Sequence, residues 1–217
     1  MLLNNPVLKN IRAAVIFTAA LFFVVPLFAQ SSLQSFRKLS FPEKRWVLLH
    51  PLKAKKAYAI SLEAKEVTRS MKGNKMLDPW ENGGQLDAFR HAYWMARLTQ
   101  EMGWRRAYRL GNAHEKGNYR QFKRGKTEEG ALPDEASSKM DYLNNDTGIE
   151  TGKRYPDYSP EQLSDLILRL IGEGKLYIIS RDSVGNFLDC GGTIINMELY
   201  KGKWQNPKCV IPSARRN

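Results

Sequence analysis

Within "LDAFRHAYWMARL", residues 86–98, the chain places a carboxylate, a guanidinium and an imidazole at Asp87, Arg90 and His91. Positions three and four apart share one side of a helix, so Asp87 can meet both Arg90 and His91. A second imidazole, His114, is followed directly by Glu115 in "RRAYRLGNAHEKG". In "PDEASSKMDYLNNDTGIETG", Ser137, Asp141, Asn144, Asn145 and Gly148 recur at helical spacing beside a stripe of Met140, Leu143 and Thr147. The chain has three histidines in all, and the remaining one, His50 in "LLHPLK", shows no functional spacing.

If the three helices pack together, His91, His114 and Asp141 converge. Two neutral imidazoles and a carboxylate suit zinc or another divalent ion with an open position for water, whose pKa would fall towards ~7. Asp87, Glu115 and Asn145 would then fix a ring tautomer or the attacking water. A metal-free arrangement also works, with His91 as general base oriented by Asp87, and Arg90, Asn144 and Asn145 stabilising an anionic transition state. The bland alternative is a non-catalytic envelope or binding module in which the same Asp, Arg, His and Asn residues form a buried network that fixes helix register.

These residues need helices to hold them, and the hydrophobic spacing supplies candidates. "KAKKAYAISLEAKEVTRSM" puts Ala57, Ile60, Ala64, Val67 and Met71 on one stripe of an amphipathic helix from Lys53 to Met71. "ENGG" leads into a helix from Gln85 to Met102 that ends at Gly103, and a second starts near Trp104 and stops around Gly117. "NYRQFKRGKTEEGALP" reads as a basic loop. Pro133 and Asp134 open a third helix ending at Gly148 or Gly152, and Ser159 or Pro160 opens a fourth that packs Leu163, Leu166, Ile167 and Leu170. Weak alternation around a Ser-Val-Gly-Asn turn predicts a β-hairpin from Leu176 to Leu188, followed by an irregular tail with room for a short strand. The expected fold is mainly α: a compact helical domain with a small C-terminal β-hairpin.

The first 29 residues read as a secretory signal peptide, with Lys9 and Arg12 before an apolar run from Ala13 to Leu27 and a small residue at Ala29. The run is short for a bilayer span of roughly 20 residues, so the chain meets a membrane only if this segment stays uncleaved. The expected localisation is secreted or periplasmic. Residues 30–82 form a basic helical segment, 83–152 the motif-bearing core, and 153–217 a helix, hairpin and tail, with 30–217 as one structural domain of a size that supports one substantial core. Cys190 and Cys209 are the only cysteines, and their simplest use outside the cytosol is a disulfide that staples the tail. Two thiols without a C-x-x-C exclude a cysteine-built zinc site.

The charge is +12, from 34 basic and 22 acidic residues. It is uneven: residues 36–75 hold eleven Lys/Arg against three acids and 105–126 eight against one, whereas 128–165 hold ten acids against three bases. Such segregation suits an anionic partner such as nucleic acid, phospholipid or a cell-wall polymer.

Together, "DAFRHAYWMA", "AHE" and "MDYLNNDTG" resemble an uncharacterised α-helical domain family of bacterial secreted proteins that also occurs at the C-termini of polymorphic toxins. The resemblance spans about Gly83 to Gly152 and marks Asp87, Arg90, His91, Trp94, His114, Glu115, Asp141, Asn144, Asn145 and Gly148. This chain departs from the family pattern at Met95, where members commonly carry Asn, and at Leu143, where they often carry His. The toxin context implies, by analogy, a hydrolase of an essential polymer or lipid.

Overall fold

A computed structural model describes residues 33–127 and 132–214; the leader segment lies outside them. Contacts divide the chain at Leu39. Before that point lies a short helix, α1 (33–38). From Ser40 onward, α2 (Phe41–Leu49), α3 (Pro51–Ser70), α4 (Gln85–Met102), α5 (Trp104–Phe122), α6 (Glu135–Arg154) and α7 (Pro160–Gly172) are followed by β1 (Tyr177–Ile179), a 3-10 turn (Met197–Tyr200) and β2 (Val210–Pro212). The result is the mainly helical domain that the spacing predicts. Among the described residues, no helix is long and apolar enough to cross a membrane.

Helix starts follow local chemistry. Ser40 with Glu43, Asp134 with Ser137, and Ser159 with Gln162 each form a reciprocal cap in which side chain and backbone satisfy one another's end groups. α4 is the central helix. Thirteen of its eighteen residues are buried, and it packs on α3, α5, α6, α7 and β1. Phe89 and Tyr93 face one apolar cluster with Leu163, Ile167, Ile171 and Ile211, while Met95, Leu98 and Met102 face another with Trp46, Ile60 and Leu110.

Three expectations are corrected. Gly148 and Gly152 do not end α6, which continues to Arg154. They are points of close approach: a Cβ at Gly148 would strike the Ala92 carbonyl oxygen, and one at Gly152 that of Ala96. With Ala92 and Ala96 opposite, small residues let the two backbones approach closely. Nor does α5 stop at Gly117, because Asn118 and Glu115 are buried on the same face and the helix runs to Phe122.

In the third case, β1 pairs antiparallel with β2, setting Ile178 opposite Ile211, rather than with the residues just after the turn. The turn itself forms, with the Asp182 carboxylate accepting from the Val184 and Asn186 backbones, but it closes on a single bridge, Arg181 to Phe187. The tail is tied down elsewhere. Cys190 and Cys209 form the expected disulfide, the Lys208 ammonium reaches the Asp134 carboxylate at 2.6 Å, and the Glu135 N–H donates to the Trp204 carbonyl at 2.9 Å. The Gln85 amide donates to the Ser213 carbonyl at 2.8 Å, which ties the start of α4 to the last described residues.

Candidate functional site

α4, α5 and α6 bring Asp87, His91, Glu115, Asp141 and Asn145 into one interior cluster, with each residue at most 8% exposed. Asp87 lies in the first turn of α4. Its Oδ2 accepts from the Gly83 N–H at 2.7 Å, and its Oδ1 accepts from Arg90 Nη2 at 2.6 Å. Gly83 has φ +74, a left-handed conformation that turns its N–H back towards the carboxylate. The same Arg90 nitrogen lies 3.2 Å from His91 Nε2. That imidazole nitrogen also faces Asp141 Oδ1 at 3.3 Å and Asp87 Oδ1 at 3.6 Å.

The proton positions follow from what each partner can do. Asn145 sits between His91 Nδ1, 3.2 Å from its Oδ1, and Glu115 Oε1, 3.4 Å from its Nδ2. A carboxylate only accepts, so the amide nitrogen must face Glu115 and the amide oxygen must face the imidazole. His91 therefore carries a proton on Nδ1, and in the neutral ring Nε2 presents its lone pair to the two aspartates. Asn118 adds a second amide donor to Glu115 at 3.2 Å.

Asp87, His91 and Asp141 each offer one ligand atom, and these atoms lie within 4.8 Å of one another. Acceptor atoms converging in a buried place call for a proton or a cation between them. The trio differs from the expected His91, His114 and Asp141. His114 stands 6.3 Å from His91 between ring centroids and directs Nδ1 to Glu43 Oε1 at 3.1 Å, with Trp94 edge-on to it at 5.5 Å. Asp87 takes the place expected of His114, because it lies one helical turn before His91. Asn144 also lies apart from the cluster: its amide accepts from Tyr177 N–H and donates to Tyr177 C=O, both at 2.9 Å, and so pins β1 to α6.

Sequence reasoning missed Glu43. Burial raises its pKa, but hydrogen bonds and charge from His114 and bonds from Ser40 outweigh that and hold the carboxyl below its ordinary value. The pattern Ser40-x-x-Glu43 signals a helix start, but nothing local signals a partner 71 residues away. The basic run in 105–126 also gains meaning, since its one acid, Glu115, is buried while Arg105, Arg106, Arg109, Lys116, Arg120, Lys123, Arg124 and Lys126 are exposed.

The fold and the site thus define a helical domain built around a buried His/Asp cluster shared by three central helices. The chain belongs to the family described as a domain of unknown function (DUF6973), whose match covers residues 44–175. Comparisons with curated proteins and with solved structures give no significant match.

Proposed function

We propose that this chain is an exported hydrolase of an anionic phosphodiester substrate, working through a divalent cation held by Asp87, His91 and Asp141. The observation that carries the reading is the convergence of two carboxylate oxygens with Nε2 of His91, which in the neutral ring completes a donor set that suits zinc and similar ions. A divalent cation held by these residues would supply Lewis acidity towards water and a phosphoryl oxygen. Asn145 holds the ring in the ligating tautomer, and Glu115 holds Asn145. Arg90, with a side chain 20% exposed, stands at the edge of the cluster, where a guanidinium can meet a phosphate. The outward cations of α5 would gather the substrate. The Cys190–Cys209 bond supports export to an oxidising compartment.

Enclosure favours a second reading. His91 is 3% exposed and Asn145 3%, as expected of a hydrogen-bond network that fixes helix register in a non-catalytic module. Elemental analysis of wild type, His91→Ala, Asp141→Asn and His114→Ala, each confirmed as folded by far-UV circular dichroism, separates the two. The catalytic reading expects stoichiometric metal in wild type and in His114→Ala, loss in the other two, and parallel loss of activity on bis(p-nitrophenyl) phosphate. A wild type that takes up no metal after reloading, with His91→Ala strongly destabilised, would establish the structural network instead.

A further inference from the structure

The corner between α2 and α3 exposes three leucines in five residues. Leu48 is 70% exposed, Leu49 66% and Leu52 94%. The inner side of the corner is already filled. Trp46 is buried in the core, and the His50 ring stacks on it at 4.6 Å and bonds the Trp46 carbonyl through Nδ1 at 2.9 Å. Pro51 then starts α3 with a fixed φ. The leucines are thus held outward by a rigid turn, and an apolar group rimmed by charge marks an interaction surface.

The rim is mainly basic. Arg45 on α2 and Lys55 and Lys56 on α3 are exposed, and Lys44 and Lys53 are partly exposed. Glu101 is the acid at this rim and is paired with Lys56, which leaves Arg45, Lys53 and Lys55 in excess, while Glu43, Glu63 and Glu66 are engaged with His114, Arg97 and Arg69. An exposed apolar corner flanked by an excess of cations matches the boundary of an anionic bilayer, where the leucines reach the acyl region while the cations meet lipid phosphates. Leucines do not stack on bases, which disfavours nucleic acid as the occupant.

We infer that the α2–α3 corner docks this protein on an anionic lipid surface, with Leu48, Leu49 and Leu52 inserted and Lys53 and Lys55 on the headgroups. This docking is independent of the hydrolase reading. It is tested on the full-length chain by attaching an environment-sensitive fluorophore to the Leu52→Cys variant, whose native cysteines are protected in their disulfide, with Lys65→Cys as an exposed control on the same helix.

Phosphatidylglycerol vesicles should blue-shift and brighten the probe at position 52, phosphatidylcholine vesicles should do so far less, and position 65 should not respond. Added Lys53→Glu and Lys55→Glu changes should weaken binding by at least about fivefold per cation removed. An unshifted probe overturns the inference, even if the chain sediments with vesicles through another segment. A shift without vesicles that grows with protein concentration assigns the corner to a second copy of the chain and also overturns it.

Discussion

The amide oxygen of Asn145 lies 3.2 Å from Nδ1 of His91, and the amide's other end faces Glu115, so α5 dictates through α6 which nitrogen of an α4 imidazole holds the proton. The geometry leaves Nε2 for whatever sits between Asp87 and Asp141. Arg90 is the present neighbour of that space, and it shares two of the atoms a cation would use.

Arg90 and a divalent ion should therefore compete. Removing the guanidinium in Arg90→Gln is expected to raise zinc affinity by about tenfold or more, since a permanent charge beside the ligands opposes a second cation. Isothermal titration of the metal into both proteins measures this, and unchanged or weaker binding in the variant would place the metal away from Asp87 and His91.

Close approach of α4 and α6 gives a second expectation. Gly148→Ala forces a methyl group into the Ala92 carbonyl and should cost about 3 kcal/mol in denaturant unfolding. Gly172→Ala, where an added Cβ meets nothing within 4 Å, should be neutral or slightly stabilising. Equal stabilities for the two variants would mean that the helices are not in contact at Ala92.

Acid should weaken the fold through Glu43. Its carboxyl titrates below the ordinary 4.5 despite burial, because His114 and Ser40 hold the charged form. A depressed folded pKa contributes stability that is complete above the unfolded value and is lost as pH falls through the folded one. Wild type should thus lose melting temperature more steeply below about pH 4.5 than Glu43→Gln does, while Glu43→Gln is the less stable of the two at pH 7. Parallel curves would show that Glu43 gains nothing from His114.

The Cys190–Cys209 bond closes a loop with a sequence separation of 19. Losing it in the Cys190→Ser, Cys209→Ser double variant should cost about 3 kcal/mol on the chain-entropy account. Hydrogen exchange should accelerate at Glu135, whose N–H is held by the Trp204 carbonyl of the tail. Unchanged exchange there would separate the staple from α6.

Much of this architecture is legible in the chain itself. Apolar spacing and flanking glycines give α4 both its ends, and the predicted start of α7 at Ser159 or Pro160 matches its cap. What local pattern cannot supply is the meaning of a glycine. Gly103 ends a helix, whereas Gly148 and Gly152 sit inside one as contact points, and the difference lies in Ala92 and Ala96 more than fifty residues away. The same limit applies to the site. Asp87, His91, Asp141, Glu115 and Asn145 are all named by type and spacing, yet which of Asp87 and His114 joins the trio depends on how α4 and α5 cross. The pairing of β2 with β1 is hidden for a related reason, because the partners lie more than thirty residues apart and no turn joins them directly.

The tail that reaches Asp134, Glu135 and Gln85 also follows every helix of the site in chain order. It holds the first residues of α6 and of α4, the helices that carry Asp141 and Asp87. The centre therefore gains its full support only once Lys208 and Ser213 have found their places, so a chain cut before Lys208 carries the residues of the site without their final bracing.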